Sequence, residues 1–202
     1  MITAGLTGNF GMGKSVVSRI FKELGAITID TDRIVADLLQ EPEVLGIIAE
    51  TFGEELVEGG VLKKAALADL IFQAAHLRIS LEDILHPRVF RRIAGELDRI
   101  GRDSLQVVIV EAPILFERGY QNRFDEIITV FAPEEIALSR LREKGITEEE
   151  ARRRMESQLP IAIKKRGADF VIDNSGDLEN TRSQVERVYQ ELLRKVKGHG
   201  NN

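Results

Sequence analysis

The feature that most constrains the fold is a glycine-rich octapeptide near the beginning of the sequence, which has the form G-x-x-x-x-G-K-[ST]. Its residues are Gly8, Asn9, Phe10, Gly11, Met12, Gly13, Lys14 and Ser15. An apolar run at residues 2–7 precedes it, and apolar residues at helical spacing follow it from Val16 to Leu24. A strand, this loop and a helix in that order are the context that a phosphate-binding loop requires.

The composition of the loop explains how it would hold a phosphate. Glycines let the backbone curl so that successive N–H groups point inward at an anion, and the positive end of the following helix adds to the field. Lys14 would then reach the β- and γ-phosphates, and the Ser15 hydroxyl would ligate Mg²⁺. The sequence therefore predicts a nucleoside triphosphate site from Gly8 to Val16. The alternative is a glycine-rich turn with an exposed lysine.

Five apolar runs, separated by helical patterns, predict the fold class. They lie at residues 2–7, 26–30, 106–111, 126–131 and 169–173. Each run is nearly continuous in Val, Ile and Leu instead of alternating with polar residues, as expected when helices cover both faces of a sheet. The sequence thus predicts an α/β fold with a five-stranded parallel sheet flanked by helices.

Two longer helical patterns interrupt the alternation of strands and helices and suggest a division of the chain into domains. About seventy residues between the second and third runs predict a helical insertion at 33–102, and a charged helical stretch follows at 133–166. The core would then comprise residues 1–32, 103–132 and 167–197, with a frayed tail at 198–202. The Lys164-Lys165-Arg166 run could form an anion site, but such runs more often lie on a solvated helix face, and that is the expectation for this one.

Composition excludes several classes of function for these 202 residues. A net charge of −5 argues against a general nucleic-acid binder, and the absence of cysteine excludes disulfides, thiol catalysis and cysteine metal sites. The longest apolar run, at residues 105–116, is too short to span a bilayer and contains Glu111. The first residues lack the features of a signal peptide. We expect a soluble cytoplasmic protein, with no obligate protein partner indicated.

Acidic residues end two of the predicted strands. Asp30 and Asp32 are two apart, so in an extended segment they would share one face and supply a general base and a group for the metal shell. Alternatively, one of them caps a helix that begins near Arg33. Glu111, at the end of the third run, could hold Mg²⁺ or its water shell, or it could be a solvated strand-end residue.

Over nearly its whole length the sequence resembles the dephospho-coenzyme A (dephospho-CoA) kinase family. The phosphate-binding loop and an Asp-x-Asp motif alone would suit several small-molecule kinases, but the combination of motifs is specific. The matching segments are Gly5-Leu6-Thr7-Gly8 with the loop, Asp30-Thr31-Asp32, His86-Pro87-Arg88, Pro113-Ile114-Leu115-Phe116-Glu117, the spaced residues Ala151, Arg154 and Gln158, and Ala168-Asp169-Phe170-Val171-Ile172-Asp173-Asn174. In the loop, Asn9 and Met12 replace small residues, so their side chains must point away from the phosphates.

The resemblance implies a P-loop kinase that uses ATP and Mg²⁺ to phosphorylate the 3′-hydroxyl of the ribose of dephospho-CoA, the last step of coenzyme A synthesis. Lys14 would hold the phosphates, Asp32 would be the base, and Arg140 would place positive charge over the transferred phosphoryl group from a helical lid at 133–166. The insertion would bind the acceptor. The implied substrate-binding residues are Asp32, His86, Arg88, Leu115, Glu117 and Arg154.

Two other functions fit part of the pattern. Another small-molecule kinase, such as a nucleotide kinase, would share the loop and lid without the His-Pro and C-terminal motifs. A P-loop GTPase switch would need a D-x-x-G motif, and residues 98–101 match it, but they precede a strand in a helical stretch and no N-K-x-D motif is present. His86 has a simpler interpretation too, because a residue before proline often ends a helix.

Overall fold

The computed structural model describes residues 1–101 and 104–199. The strands are β1 (Ile2–Thr7), β2 (Ile27–Asp30), β3 (Val57–Glu58), β4 (Val61–Leu62), β5 (Val107–Glu111), β6 (Glu126–Phe131) and β7 (Phe170–Asp173). The helices are α1 (Lys14–Glu23), α2 (Thr31–Leu38), α3 (Pro42–Phe52), α4 (Lys64–Gln73), α5 (Ala75–Ile100), α6 (Glu134–Glu143), α7 (Glu148–Glu156), α8 (Ile161–Arg166) and α9 (Leu178–His199). The chain divides into two compact units, residues 31–100 and the remainder.

The larger unit is built on a five-stranded sheet in the order β2-β5-β1-β6-β7, in which every pairing is parallel. The predicted α/β fold is confirmed, and the five strands lie within one residue of the five apolar runs. Burial explains the agreement: Val108, Ile109 and Val110 of β5 are fully buried, as continuous apolar runs require when helices cover both faces. The carboxyl ends of β1, β2 and β5 therefore share one edge of the sheet.

Helices α1 and α9 form the core of this unit against the sheet. Val17, Ile20 and Phe21 of α1 are fully buried, and the Phe21 ring meets Tyr189 of α9 edge-on with the ring centroids 6.5 Å apart. Burying each such side chain stabilises the folded state by about 1.5–3 kcal/mol. Helix α1, which follows the loop, is therefore packed firmly in the core. Helix α9 continues to His199, beyond the predicted start of a frayed tail, and residues 200–202 lie outside the described residues.

The smaller unit, Thr31–Ile100, is mainly helical, as the sequence predicts for the insertion, with a short antiparallel hairpin of β3 and β4 that the sequence did not indicate. Its longest helix, α5, buries Leu81, Leu85, Val89 and Ile93, which are four residues apart and so form one stripe. The predicted boundary at residues 102 and 103 lies outside the described residues. No helix within the described ranges is both long and apolar enough to cross a membrane.

Candidate active site

The phosphate-binding loop adopts a conformation that only glycine accommodates at its two key positions. Gly8 and Gly13 have φ angles of +146° and +92°, which L side chains rarely adopt. A Cβ atom would also lie 2.4 Å from the Val130 carbonyl oxygen at Gly8 and 2.0 Å from Asn174 Nδ2 at Gly13. The loop backbone is therefore enclosed by neighbouring segments, and α1 begins directly after it at Lys14.

The Lys14 ammonium group lies across this loop. Its Nζ donates hydrogen bonds to the carbonyl oxygens of Gly8 at 2.7 Å and Asn9 at 3.3 Å. The side chains of Asn9 and Met12 lie away from the loop concavity, as expected: the Asn9 amide donates to the Leu159 carbonyl oxygen at 3.2 Å, and Met12 is buried with Ala132 and Ala137. The Lys14 ammonium group and the loop backbone are thus close together, an arrangement suited to binding an anion.

Two carboxylates lie side by side at the same edge of the sheet. Asp30 and Glu111 are the terminal residues of adjacent parallel strands and are paired in register, and Glu111 also pairs with Leu6 of β1. Neighbouring strands are about 4.8 Å apart. Among the described residues no group of three or more His, Asp or Glu could hold a metal ion. The pair of carboxylates formed by Asp30 and Glu111 suits Mg²⁺, which is usually held by one or two carboxylates together with substrate phosphates.

Arg140, on α6, places a guanidinium group against the loop. Its Nη1 atom is buried and has no hydrogen-bond partner in the described part of the chain. A Cβ atom at Gly13 would lie 3.8 Å from this nitrogen. A buried donor without a partner costs about 1–3 kcal/mol, so the position favours an anionic oxygen from a ligand. The loop, Lys14 and Arg140 together form a cationic cradle suited to a polyphosphate.

Comparison with known proteins identifies which kinase family shares these features. The family model described as dephospho-CoA kinase matches residues 2–180. The chain belongs to the dephospho-CoA kinase family. Two curated members are similar over nearly their whole length: the dephospho-CoA kinase of Aquifex aeolicus is 38% identical over 192 residues (94% of this chain, 97% of that protein), and that of Syntrophotalea carbinolica is 39% identical over 201 residues (98% and 95%).

Solved structures agree with this membership in the dephospho-CoA kinase family. TT1252 from Thermus thermophilus has a TM-score of 0.82 at 33% identity and covers 96% of this chain and 97% of its own. Dephospho-CoA kinase from Campylobacter jejuni has a TM-score of 0.70 at 26% identity, with 96% and 98% covered. A shikimate kinase from Acinetobacter baumannii has a TM-score of 0.53 at 16% identity, which shows a shared fold alone.

For this member of the family, the structure corrects one local prediction at the Asp-x-Asp motif. We expected an extended segment that would place Asp30 and Asp32 on one face, but α2 begins at Thr31 and Asp32 lies in its first turn. Carboxylates are favoured in the first turn because they complement the positive end of the helix dipole. The direction of the Asp32 side chain is therefore set by its position on a helix and not by the alternation of side chains along a strand.

The predicted substrate-binding residues of the smaller unit lie on α5. This helix continues through Pro87, so His86 does not end it. The Arg88 guanidinium group donates to Glu43 Oε1 at 3.0 Å and to the Ile84 carbonyl oxygen at 2.8 Å. Arg88 therefore already has protein partners on α3 and α5, and a contact with substrate stays a prediction.

The predicted substrate-binding residues of the larger unit have varied surroundings. Leu115 is 1% exposed and packs in the core with Phe116 and Ile127. Arg154 pairs with Glu150 at 2.5 Å, and its guanidinium carbon lies 4.9 Å from the centroid of the Phe10 ring. Glu117 forms an ion pair that is described below. Direct contact of any of these residues with substrate stays a prediction.

Sequence reasoning assigned no role to two residues, Asn174 and Gln158, whose side chains hydrogen-bond the backbone of the loop. Asn174 Nδ2 donates to the Met12 carbonyl oxygen at 2.9 Å, and Asn174 Oδ1 accepts from Thr181 Oγ1 at 2.9 Å. Gln158 Oε1 accepts from the Phe10 backbone N–H at 2.8 Å. Asn174 and Gln158 occur in the family motifs, which was the only sequence signal for them. Their function depends on long-range contacts that no local pattern encodes.

Lys164 contradicts the expectation of a solvated helix face. Its side chain is 0% exposed, and its ammonium group forms an ion pair with Glu117 at 2.6 Å. Helix α8 spans only Ile161–Arg166. It is too short for an apolar stripe to distinguish an inward-facing lysine from an outward-facing one.

Proposed function

We propose that the protein transfers the γ-phosphoryl group of ATP to the 3′-hydroxyl of the ribose of dephospho-CoA, giving coenzyme A. The observation that carries this proposal is the extent of the family match. It spans residues 2–180, and so includes the helical unit Thr31–Ile100 as well as the phosphate-binding loop. A loop alone would be common to kinases with many acceptors, whereas the insertion is where the acceptor would be bound.

The proposed reaction gives a separate task to the loop, to Lys14, to Arg140 and to Asp32. The loop amides and Lys14 hold the β- and γ-phosphates, and Arg140 faces the equatorial oxygens over which negative charge spreads in the transition state. Asp32 accepts the proton of the 3′-hydroxyl as its oxygen bonds to the γ-phosphorus. The bond from the γ-phosphorus to the bridging oxygen breaks, and ADP leaves.

Mg²⁺ fits the oxygen donors that surround the loop. The Ser15 hydroxyl, Asp30 and Glu111 would hold the ion directly or through its water shell, and when bound it offsets the charge of the β- and γ-phosphates. All three residues belong to the larger unit, on α1, β2 and β5.

Residues 133–166 would act as the lid and residues 33–102 as the acceptor-binding domain. Lid closure would exclude water, so that the phosphoryl group passes to the ribose hydroxyl instead of to solvent. His86 and Arg88 would face the acceptor from α5, while Arg154 and Leu115 would act from the larger unit. The Glu117 carboxylate is instead held in an ion pair with buried Lys164, and we propose no contact of this group with the acceptor.

Removing either strand-end carboxylate is expected to raise the Mg²⁺ requirement. In Asp30→Asn and Glu111→Gln, we expect the Mg²⁺ concentration for half-maximal activity to rise about tenfold, because groups that orient a metal shell typically change its affinity by that amount. Mg²⁺ titrations at saturating ATP measure the effect. Asp173→Asn, at the end of β7, is the matched control and should titrate like the unaltered protein. An unchanged requirement in both test variants would contradict the proposed metal site.

An acceptor comparison tests the proposed function directly. Purified protein is supplied with ATP·Mg²⁺ and with dephospho-CoA, AMP, another nucleotide or no acceptor, and ADP release is followed. We expect turnover with dephospho-CoA and a product heavier by one phosphoryl group in mass spectrometry. Turnover with AMP and none with dephospho-CoA would refute the proposal in favour of a nucleotide kinase.

A further inference from the structure

A buried ion pair lies next to the segment that contacts the phosphate-binding loop and takes no part in the proposed chemistry. Lys164 Nζ is 2.6 Å from Glu117 Oε1, and the lysine is 0% exposed. Burial lowers the pKa of Lys164, and the hydrogen bond and charge of Glu117 counteract that shift. Glu117 Oε2 is also buried and lacks a hydrogen-bond partner in the described ranges. An apolar pair of similar volume is often as stable, so stability alone does not explain these charges.

The pair joins three backbone segments that are distant in sequence. Lys164 Nζ also donates to the Pro113 carbonyl oxygen at 3.1 Å, and the same oxygen accepts from Thr7 Oγ1 at 3.2 Å. Glu117 Oε1 accepts from the Leu159 backbone N–H at 3.0 Å. The pair therefore connects the end of β1, the segment after β5 and the junction between α7 and α8.

That junction in turn holds the phosphate-binding loop. The Leu159 carbonyl oxygen accepts from Asn9 Nδ2 at 3.2 Å, and Gln158 Oε1 accepts from the Phe10 backbone N–H at 2.8 Å. These contacts involve Asn9 and Phe10, the second and third residues of the loop. Both residues precede the glycine and lysine that would face the phosphates. The loop is thereby fixed in its N-terminal half, whereas α1 follows directly on its C-terminal half.

We propose that Lys164 and Glu117 are positioning residues, which hold Gln158 and Leu159 against the phosphate-binding loop and so set the affinity for ATP. Charged groups are suited to this task because their hydrogen bonds are directional and reach backbone atoms. Apolar side chains of the same size would fill the space but could not fix Leu159 N–H or the Pro113 carbonyl oxygen. The inference rests on the proposed use of ATP but not on the identity of the acceptor.

The decisive variant replaces both charges together. In Lys164→Met or Glu117→Leu alone, we expect a large fall in Tm, since each leaves a buried charge without its partner. The double variant removes both charges and should recover a Tm within a few degrees of the unaltered protein. Calorimetric titration with ATP·Mg²⁺ and no acceptor should nevertheless give a Kd about tenfold higher. A double variant with recovered Tm and unaltered Kd would overturn the proposal.

A second variant tests the same contact without disturbing the buried pair. Gln158→Leu removes only the acceptor of the Phe10 N–H, so we expect a Tm only a few degrees lower and a Kd for ATP about tenfold higher. Ser157→Ala, at the neighbouring exposed position, is the control and should bind ATP normally. Adding Gln158→Leu to the double variant should raise the Kd little further, because both changes act through one contact. Fully independent, multiplicative effects, or an unchanged Kd in Gln158→Leu, would contradict the proposed link.

The binding measurement separates this inference from the proposed function. If the unaltered protein binds ATP but does not phosphorylate dephospho-CoA, the function fails and the positioning role is still tested by Kd. A direct contact between Glu117 and the acceptor makes a different prediction. It would raise the KM for dephospho-CoA in the double variant while leaving the acceptor-free Kd for ATP unchanged, and that result would overturn the positioning role.

Discussion

Asp32→Asn is expected to lower kcat by about 10²- to 10⁴-fold, the usual contribution of a general base. The amide has nearly the same shape as the carboxylate but cannot accept the proton of the acceptor hydroxyl. Asp32 is exposed in the first turn of α2, so the substitution should leave the fold unchanged. In the proposed site ATP is bound by the loop, Lys14 and Arg140 and not by Asp32, so the Kd for ATP should stay near that of the unaltered protein.

The control for this result lies on the same helix. Asp37→Asn removes an exposed carboxylate from α2 and should leave kcat unchanged. Rapid-quench measurement of the chemical step, with a separate Kd for ATP, distinguishes lost catalysis from lost binding. Full turnover in Asp32→Asn would show that another group accepts the proton, and the role assigned to Asp32 would then be wrong.

The sheet and the loop could be predicted because their signals are local. In β5 four consecutive residues, Val107 to Val110, are at most 1% exposed, and such a short β-branched run is typical of a strand covered on both faces. The glycines of the loop are equally diagnostic, since the positive φ at Gly13 strongly favours glycine whatever the surrounding fold. In both cases a few adjacent residues determine the backbone conformation.

The remaining features depend on choices that local sequence leaves open. Asp30-Thr31-Asp32 is compatible with a continuing strand or a helix start, and only the structure shows that α2 begins at Thr31. Lys164 stands in a cationic run, and the carboxylate that pairs with its buried ammonium group, Glu117, is far away in the sequence. The approach of Arg140 to Gly13 likewise results from the packing of α6. Such contacts between distant segments produce the geometry of the site.

Lys14→Ala is expected to lower kcat/KM by about 10²- to 10³-fold, as removal of one preorganised charge at a developing anion typically does. Unlike Asp32→Asn, it should impair every measurement that involves ATP, including the acceptor-free Kd, because in the proposed site Lys14 contacts the phosphates and not the acceptor. Lys14 Nζ also bonds the Gly8 carbonyl oxygen, so Lys14→Met, which keeps the aliphatic stem, should behave similarly at a Tm close to that of the unaltered protein.

Lys22→Ala provides the control for Lys14, since it removes an exposed lysine from the last turn of the same helix and lies far from the loop. It should retain normal kcat/KM and Kd. If Lys14→Met bound ATP as tightly as the unaltered protein and lost only kcat, the lysine would act in the transition state alone. If it also kept kcat, Lys14 would not be needed for catalysis. Arg140 and the loop amides would then have to stabilise the negative charge of the phosphates without it.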